Sequence, residues 1–456
     1  MKNIIYTLIF IIFFQNCSFD NKTGIWKDSS EISVSEKKPN DNKLEDAFVK
    51  NKKFEKEQEV KSSTQIKIDK SFKTTEWSDD YFNLENNISN ISYTNKKQLV
   101  SKFKFSKYKN FFISNEKNII RPLIYNEKII FFDSKGTIYI YSLKDNEKIS
   151  QFNFYKNKFK KIKKEIYLSI DKGKIFVADN LGYLYVLDIQ NDKLIWAKNF
   201  GIPFRSNIKV IEDQIFLLNQ ENVFYSINKL NGEKNWEFAT TPKFLKSKYI
   251  NNIIVDKKNN DVFFLNTNGE MYSIDYFDQK VNWVLSFSRI SLSGDSGLFF
   301  SSPLAMKNES IIVSTGNTIQ NINKLNGSKE WIKNLASEVK PILTTNNVFI
   351  VTSNHLLICL DRFTGEILWS KNIIKQSQKN KRKYRYKNID YIKNLLMVDN
   401  KIFLFSNEGF LLSFDYKNGN LISIDRIIKS KLISNPIFVN NHMYLFNKNY
   451  QLFKFQ

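Results

Sequence analysis

With 456 residues, 42% of them hydrophobic and 15% aromatic, the chain can bury a large core, which excludes a mostly disordered protein. The formal charge of +23 accompanies an excess of Lys, Asn, Ile, Phe and Tyr that runs through the whole chain, so the charge alone assigns no partner. Two cysteines and two histidines exclude a disulfide framework and a metal-ligand cluster of recognisable spacing.

Residues 1–16 combine Lys2, an apolar run from Ile4 to Phe14 and Gln15-Asn16 ahead of Cys17. The run is too short to span a bilayer and reads as a secretory signal ending at a cysteine. It resembles a bacterial lipoprotein signal, with Phe14 and Asn16 departing from the usual residues, which implies lipid attachment at Cys17. Ser18 resembles the outer-membrane sorting preference. Residues 17–75 follow as an expected disordered tether, because Asn21 to Thr75 is rich in Lys, Glu, Ser and Asn and too poor in apolar side chains to offset the entropy of ordering. A flexible segment of that length reaches about 40 Å.

The expected domain is 76–456, opened by a pre-domain segment from Trp77 to Tyr93. Within it, Gly182 to Trp196 is one copy of a repeat: alternating apolar residues, a turn, then a second strand with Trp. Asp188 stands eight residues before Trp196, and the same step joins Asn228 to Trp236, Asp275 to Trp283, Asn323 to Trp331 and Asp361 to Trp369. Gly232, Gly327, Gly365 and Gly419 each fall four residues after an anchor, where a tight turn requires positive φ. Asp192 and Gln279 replace Gly in two copies, and the Gln279 turn is expected to differ.

Weaker copies carry anchors at Ser142, Asp415 and Phe455. The eight anchors are 46, 40, 47, 48, 38, 54 and 40 residues apart, close to the roughly 40–45 residues of a four-stranded propeller blade. The last copy ends at Gln456 without a fourth strand, whereas Gln98 to Phe105 looks like a fourth strand without its first three. The fold expected is therefore all-β: an eight-bladed β-propeller of four-stranded blades, closed by an N-terminal strand in the C-terminal blade. Cys359, among Leu357, Ile358 and Leu360, reads as a small buried hydrophobe. His355 and His442 are placed in repeat strands.

The repeats resemble the tryptophan-docking, PQQ-type repeats of quinoprotein-like propellers, and the lipoprotein start with eight repeats resembles the BamB family of the outer-membrane β-barrel assembly machinery. That resemblance implies a non-enzymatic scaffold on the periplasmic face of the outer membrane, lipid-anchored, without a cofactor, aiding insertion of outer-membrane proteins. It implies BamA and other subunits of the machinery as partners, with unfolded outer-membrane proteins as further candidates. In the loop Ser288–Ser296, Ile290 and Leu292 match the family's two partner-binding leucines, and Ser293 stands where Arg is expected. In the next inter-blade loop Glu338 retains one acidic position, and Lys340 reverses the charge of the other. The resemblance gives Trp196, Trp236, Trp283, Trp331 and Trp369 a structural role between blades.

Two alternatives follow from the same residues. A quinoprotein-like periplasmic dehydrogenase shares the repeat, but those enzymes resemble this chain less in carrying long insertions, an acidic calcium site and an adjacent cysteine pair. An anion- or lipid-binding propeller would use the basic stretch Lys375 to Lys387; export removes nucleic acid as its partner. Gly294-Asp295-Ser296-Gly297 echoes a serine-protease loop, but a triad needs partners that two strand histidines do not supply.

Overall fold

The structure, a computed structural model, describes residues 54–61, 66–94, 96, 98–105, 120–155, 159, 161–242, 249–287, 299–378, 389 and 391–456, with the backbone of Cys17–Phe19 and Trp26–Asp28. Those last two segments pair with each other, Cys17 opposite Asp28. Contacts divide the chain after Lys52, and the second unit holds everything that follows.

The described residues of that unit form eight antiparallel four-stranded sheets in a propeller ring. Blades 1 to 7 span 123–153, 166–199, 209–239, 252–286, 305–333, 342–372 and 392–426, each running from an inner strand to an outer one. Blade 8 takes its three inner strands from 437–455, and Leu99–Lys104 pairs with the third, Leu99 opposite Phe455 and Phe103 opposite Leu452. The first three strands of a blade are nearly all buried, as in Ile166–Asp171 and Lys174–Asp179, because both faces are covered by neighbouring blades. Outer strands alternate, as in Lys280–Ser286.

The anchor residues earn their place through the turn that follows them. Asp188 Oδ1 accepts the N–H groups of Gln190 at 2.8 Å and Asn191 at 3.0 Å, and Asp361 Oδ1 those of Phe363 at 2.9 Å and Thr364 at 2.8 Å. A short side-chain acceptor thus substitutes for a backbone turn. Gly365 then has φ +68°, and a Cβ there would stand 2.6 Å from Cδ2 of Trp331 in the preceding blade. The glycine serves two demands at once: positive φ and room for an indole. That indole also donates from Nε1 to the carbonyl of Arg362 at 2.8 Å, and Trp196, Trp283 and Trp369 donate likewise to Lys229, Lys324 and Tyr416 of the blades after theirs.

Gln279 corrects the expectation that its turn differs in backbone. Its φ is 58°, like Asp192 at 51°. What changes is the docking: Trp236, the tryptophan of the preceding blade, makes no such bond among the described residues, although like the docked Trp283 and Trp369 it lies against a Phe of its own blade, Phe224 at 5.3 Å. His355 is likewise corrected, since it sits in a turn with φ 62° rather than in a strand. Cys359 is fully buried in blade 6, and burial raises its thiol pKa well above the ordinary value.

The tether expected over 17–75 is shortened by the structure, because 54–61 and 66–75 lie on the propeller. Gln58 exchanges backbone hydrogen bonds with Ser370 on the outer strand of blade 6, at 3.0 and 2.9 Å. Phe54 packs on the apolar cluster of blades 5 and 6, and Val60, Ile66 and Ile68 on that of blades 6 and 7. Lys61 pairs with Glu366 at 2.8 Å, and Glu59 pairs with Lys371. A polar sequence docks here because main-chain pairing to an open sheet edge needs few apolar side chains.

Candidate functional site

The axis of the ring is filled by the chain's own residues 74–94. Trp77 exchanges backbone hydrogen bonds with Ile124 of blade 1 at 2.7 and 2.9 Å, and the Ser78 carbonyl accepts from Ile170 of blade 2. On blade 3, Lys209 donates to Asp79, the Asn83 carbonyl and Asn86. Leu84 accepts from Val255 of blade 4 and Glu85 from Met306 of blade 5. Asn87 donates to and accepts from Leu343 of blade 6, at 3.0 and 3.1 Å. Ile91 bonds Met397 and Asp399 of blade 7, and Thr74 accepts from Asn440 of blade 8. One segment therefore touches the inner strand of every blade.

This plug escaped the sequence reading, which took Trp77 to Tyr93 as a pre-domain segment. The available signal was four asparagines within eight residues, Asn83, Asn86, Asn87 and Asn90. The amides of Asn86 and Asn87 meet inner-strand backbone groups at Ile253 and Leu343, while Asn83 bonds Asn87 within the plug and Asn90 reaches the Asp69 carbonyl and Asn400, but an asparagine-rich chain hides such a cluster.

Where the inner strands begin, on the face that carries the loops from one blade to the next, a cavity of about 200 Å³ opens beside the plug. Its wall takes Trp77, Asp80 and Ile88 from the plug, Arg121 from the lead-in to blade 1, Glu338 and Lys340 from the loop before blade 6, and Lys393 from blade 7. Asp80 and Arg121 pair at 2.7 Å. Burial pushes the Asp80 carboxyl above its ordinary range against the pull of Arg121. Lys393 donates to the Leu432 carbonyl at 2.6 Å, and burial holds its pKa at about 8. Lys340 is also at about 8, through burial first and then Lys209 of the same sign.

Of the expected partner-binding residues, Ile290, Leu292 and Ser293 lie outside the described residues. Glu338 is exposed, its N–H bonded to the Val351 carbonyl at 2.8 Å. Lys340, which reverses the charge of the second acidic position, has its ammonium buried in the axial wall. Cys17 lies in a described strand, and its side chain outside the described atoms. The basic stretch begins on a short helix, Ile373–Gln378, where Lys375 pairs with Glu57 at 3.1 Å; residues 379–388 lie outside the described residues. Among the described residues no group of three or more His, Cys, Asp and Glu could hold a metal ion, and no helix is long and apolar enough to cross a membrane.

Comparisons with known proteins converge on one family. The family described as outer membrane protein assembly factor BamB matches residues 134–371 and again 258–453. The outer membrane protein assembly factor BamB of Shewanella oneidensis is 20% identical over 322 residues, which is 60% of this chain and 80% of that protein. The crystal structure of BamB from Moraxella catarrhalis superposes with a TM-score of 0.60 at 14% identity, covering 79% of this chain and 99% of that one. Quinohemoprotein alcohol dehydrogenase from Comamonas testosteroni gives the same TM-score, 0.60, at 10% identity over 84% of this chain and 81% of its own. At such identities the two structures speak for the fold alone.

Proposed function

The chain belongs to the family of the outer membrane protein assembly factor BamB, and on that premise we propose that it is a non-enzymatic scaffold of outer-membrane protein assembly, anchored through lipid on Cys17 to the periplasmic side of the outer membrane. The observation that carries this reading is the filled axis. A propeller has its natural ligand space along the central channel, and here residues 74–94 occupy that channel from blade 1 to blade 8. What the molecule offers a protein partner is its faces and loops, and the axis keeps room only for a small guest beside the plug.

A quinone cofactor of the dehydrogenase relatives does not fit these residues. The plug stands on the axis, the sequence has no adjacent cysteine pair, and no acidic metal cluster is present among the described residues.

The partner-facing part is the loop face around blades 4 to 6. Ile290 and Leu292 would anchor BamA, each contributing roughly 1.5–3 kcal/mol if buried on contact. Exposed Glu338 would act from the rim, where a charge alters association rate more than affinity. The test is copurification of the full lipoprotein with BamA from solubilised membranes. Ile290→Asp with Leu292→Asp should abolish it while thermal unfolding stays unchanged; a folded double variant that retains BamA at unchanged affinity overturns the assignment.

A further inference from the structure

We propose that the axial cavity is a binding site for a small organic acid, a carboxylate carried on a compact apolar body. The reasoning starts from charge. Arg121 is taken by Asp80 at 2.7 Å. Lys209, nearby on blade 3, is taken by Asp79 of the plug at 3.0 Å. Lys393 has a neutral partner, the Leu432 carbonyl.

Lys340 has none among the described residues. Its Nζ is fully buried and without a hydrogen-bond partner there, although the residue as a whole retains some exposure. A buried ammonium is costly unless an acceptor meets it. Lys340 and Lys393 therefore leave a positive surplus in the wall, with Glu338 on the exposed rim. Most of the remaining wall is apolar, including Trp77, Ile88, Val339 and Leu396, and Asn394, Asn435 and the phenols of Tyr81 and Tyr391 add neutral polar groups. A volume of about 200 Å³ lies below the range of drug-sized pockets, roughly 300–1,000 Å³, which limits the guest to a small acid. An anion there would supply the missing acceptor for Lys340, and its apolar body would cover the aromatic and aliphatic wall.

This site does not depend on the scaffold reading. Its test is calorimetric titration of the mature chain with benzoate, with neutral benzamide and inorganic phosphate as separate arms. Benzoate should bind saturably, benzamide not at all, and phosphate at least tenfold more weakly for want of an apolar body. Lys340→Met, which keeps the stem and removes the charge, should weaken benzoate at least tenfold. In the unmodified protein, affinity should fall as pH rises from 7 to 10, because Lys340 and Lys393, both held at about 8, lose their protons, and Lys340→Met should keep only the shallower part of that fall; Asp79, Asp80 and Glu338 are the acids, Arg121 and Lys209 the other cations and Tyr81 and Tyr391 the phenols that face the same region. Benzoate binding that is absent, equalled by benzamide or phosphate, indifferent to Lys340→Met, or flat across that pH range overturns the proposal.

Discussion

Lys209 ties plug to ring through four acceptor atoms, and its removal tests whether the plug is integral to the fold. Its side chain is 0% exposed and its ammonium reaches both Asp79 oxygens at 3.0 Å, the Asn83 carbonyl at 2.6 Å and Asn86 Oδ1 at 2.7 Å. Burial lowers its pKa despite the opposing pull of Asp79. Lys209→Met keeps the volume but strands a buried carboxylate, and breaking a buried pair in this way costs about 3–5 kcal/mol. Adding Asp79→Asn removes the orphaned charge and should recover about 2 kcal/mol, within the coupling range for residues in contact. Urea unfolding followed by tryptophan fluorescence reads both numbers, and limited proteolysis reads whether 74–94 has become cleavable. A single variant that loses less than about 1 kcal/mol, or a double variant no more stable than the single, would refute the reasoning.

Gly365→Ala forces a methyl to 2.6 Å from Trp331 at φ +68°, so it should lower stability by at least about 1 kcal/mol and shift the indole emission; unchanged emission contradicts the docking. Gln279→Gly relieves a φ of 58° and opens the turn to Trp236, so a gain of about 1 kcal/mol is expected in the same unfolding assay, and a loss counts against the docking account. Asp261 has its pKa raised to about 6, by burial first and then by Asp275, its direct cross-strand neighbour. The folded state thus binds this proton more tightly than the unfolded chain, and stability falls as pH rises from about 4 to 6. Asp261→Asn should flatten that limb and stabilise the protein at pH 7 by about 1–2 kcal/mol after solvent screening; an unchanged pH profile rejects it. Cys17→Ser should release the protein from the membrane fraction or block its maturation, and retained acyl labelling refutes the anchor.

The blades were legible because each repeat writes its local physics into side chains. An Asp or Asn accepts two turn amides, a glycine takes positive φ, and a tryptophan crosses to the next blade. Gln279 shows where that legibility stops. The turn needs φ, which Gln supplies at some strain, whereas docking needs a missing Cβ, which it does not. Nor were the plug and the docked strand at Gln58 legible, since their bonds run largely to backbone groups whose availability only the assembled ring creates. The burial of Lys340 was not legible for a related reason: a charge reversal in a loop between blades says nothing of depth, whereas this loop leads into an inner strand and its ammonium is carried toward the axis.

Filling the axis changes what a ring of blades can do. Blades in a propeller contact chiefly their neighbours, so a force on one loop would ordinarily pass around the ring by stages. A segment hydrogen-bonded to the inner strand of all eight links blade 4, at Val255, to blade 8, at Asn440, through fewer than a dozen plug residues, Thr74 to Leu84. The same segment supplies Trp77, Asp80 and Ile88 to the cavity that Glu338 rims. Partner contact at the loop before blade 6 and occupancy of the cavity would therefore act on the same few residues, and differential contacts of that kind are what coupling between two ligands requires. If both proposals hold and the plug relays between the sites, benzoate changes the affinity for BamA, and BamA that for benzoate, by one and the same factor; a saturating dose of benzoate that leaves BamA binding untouched would mean that the plug joins the blades without relaying anything between the two sites.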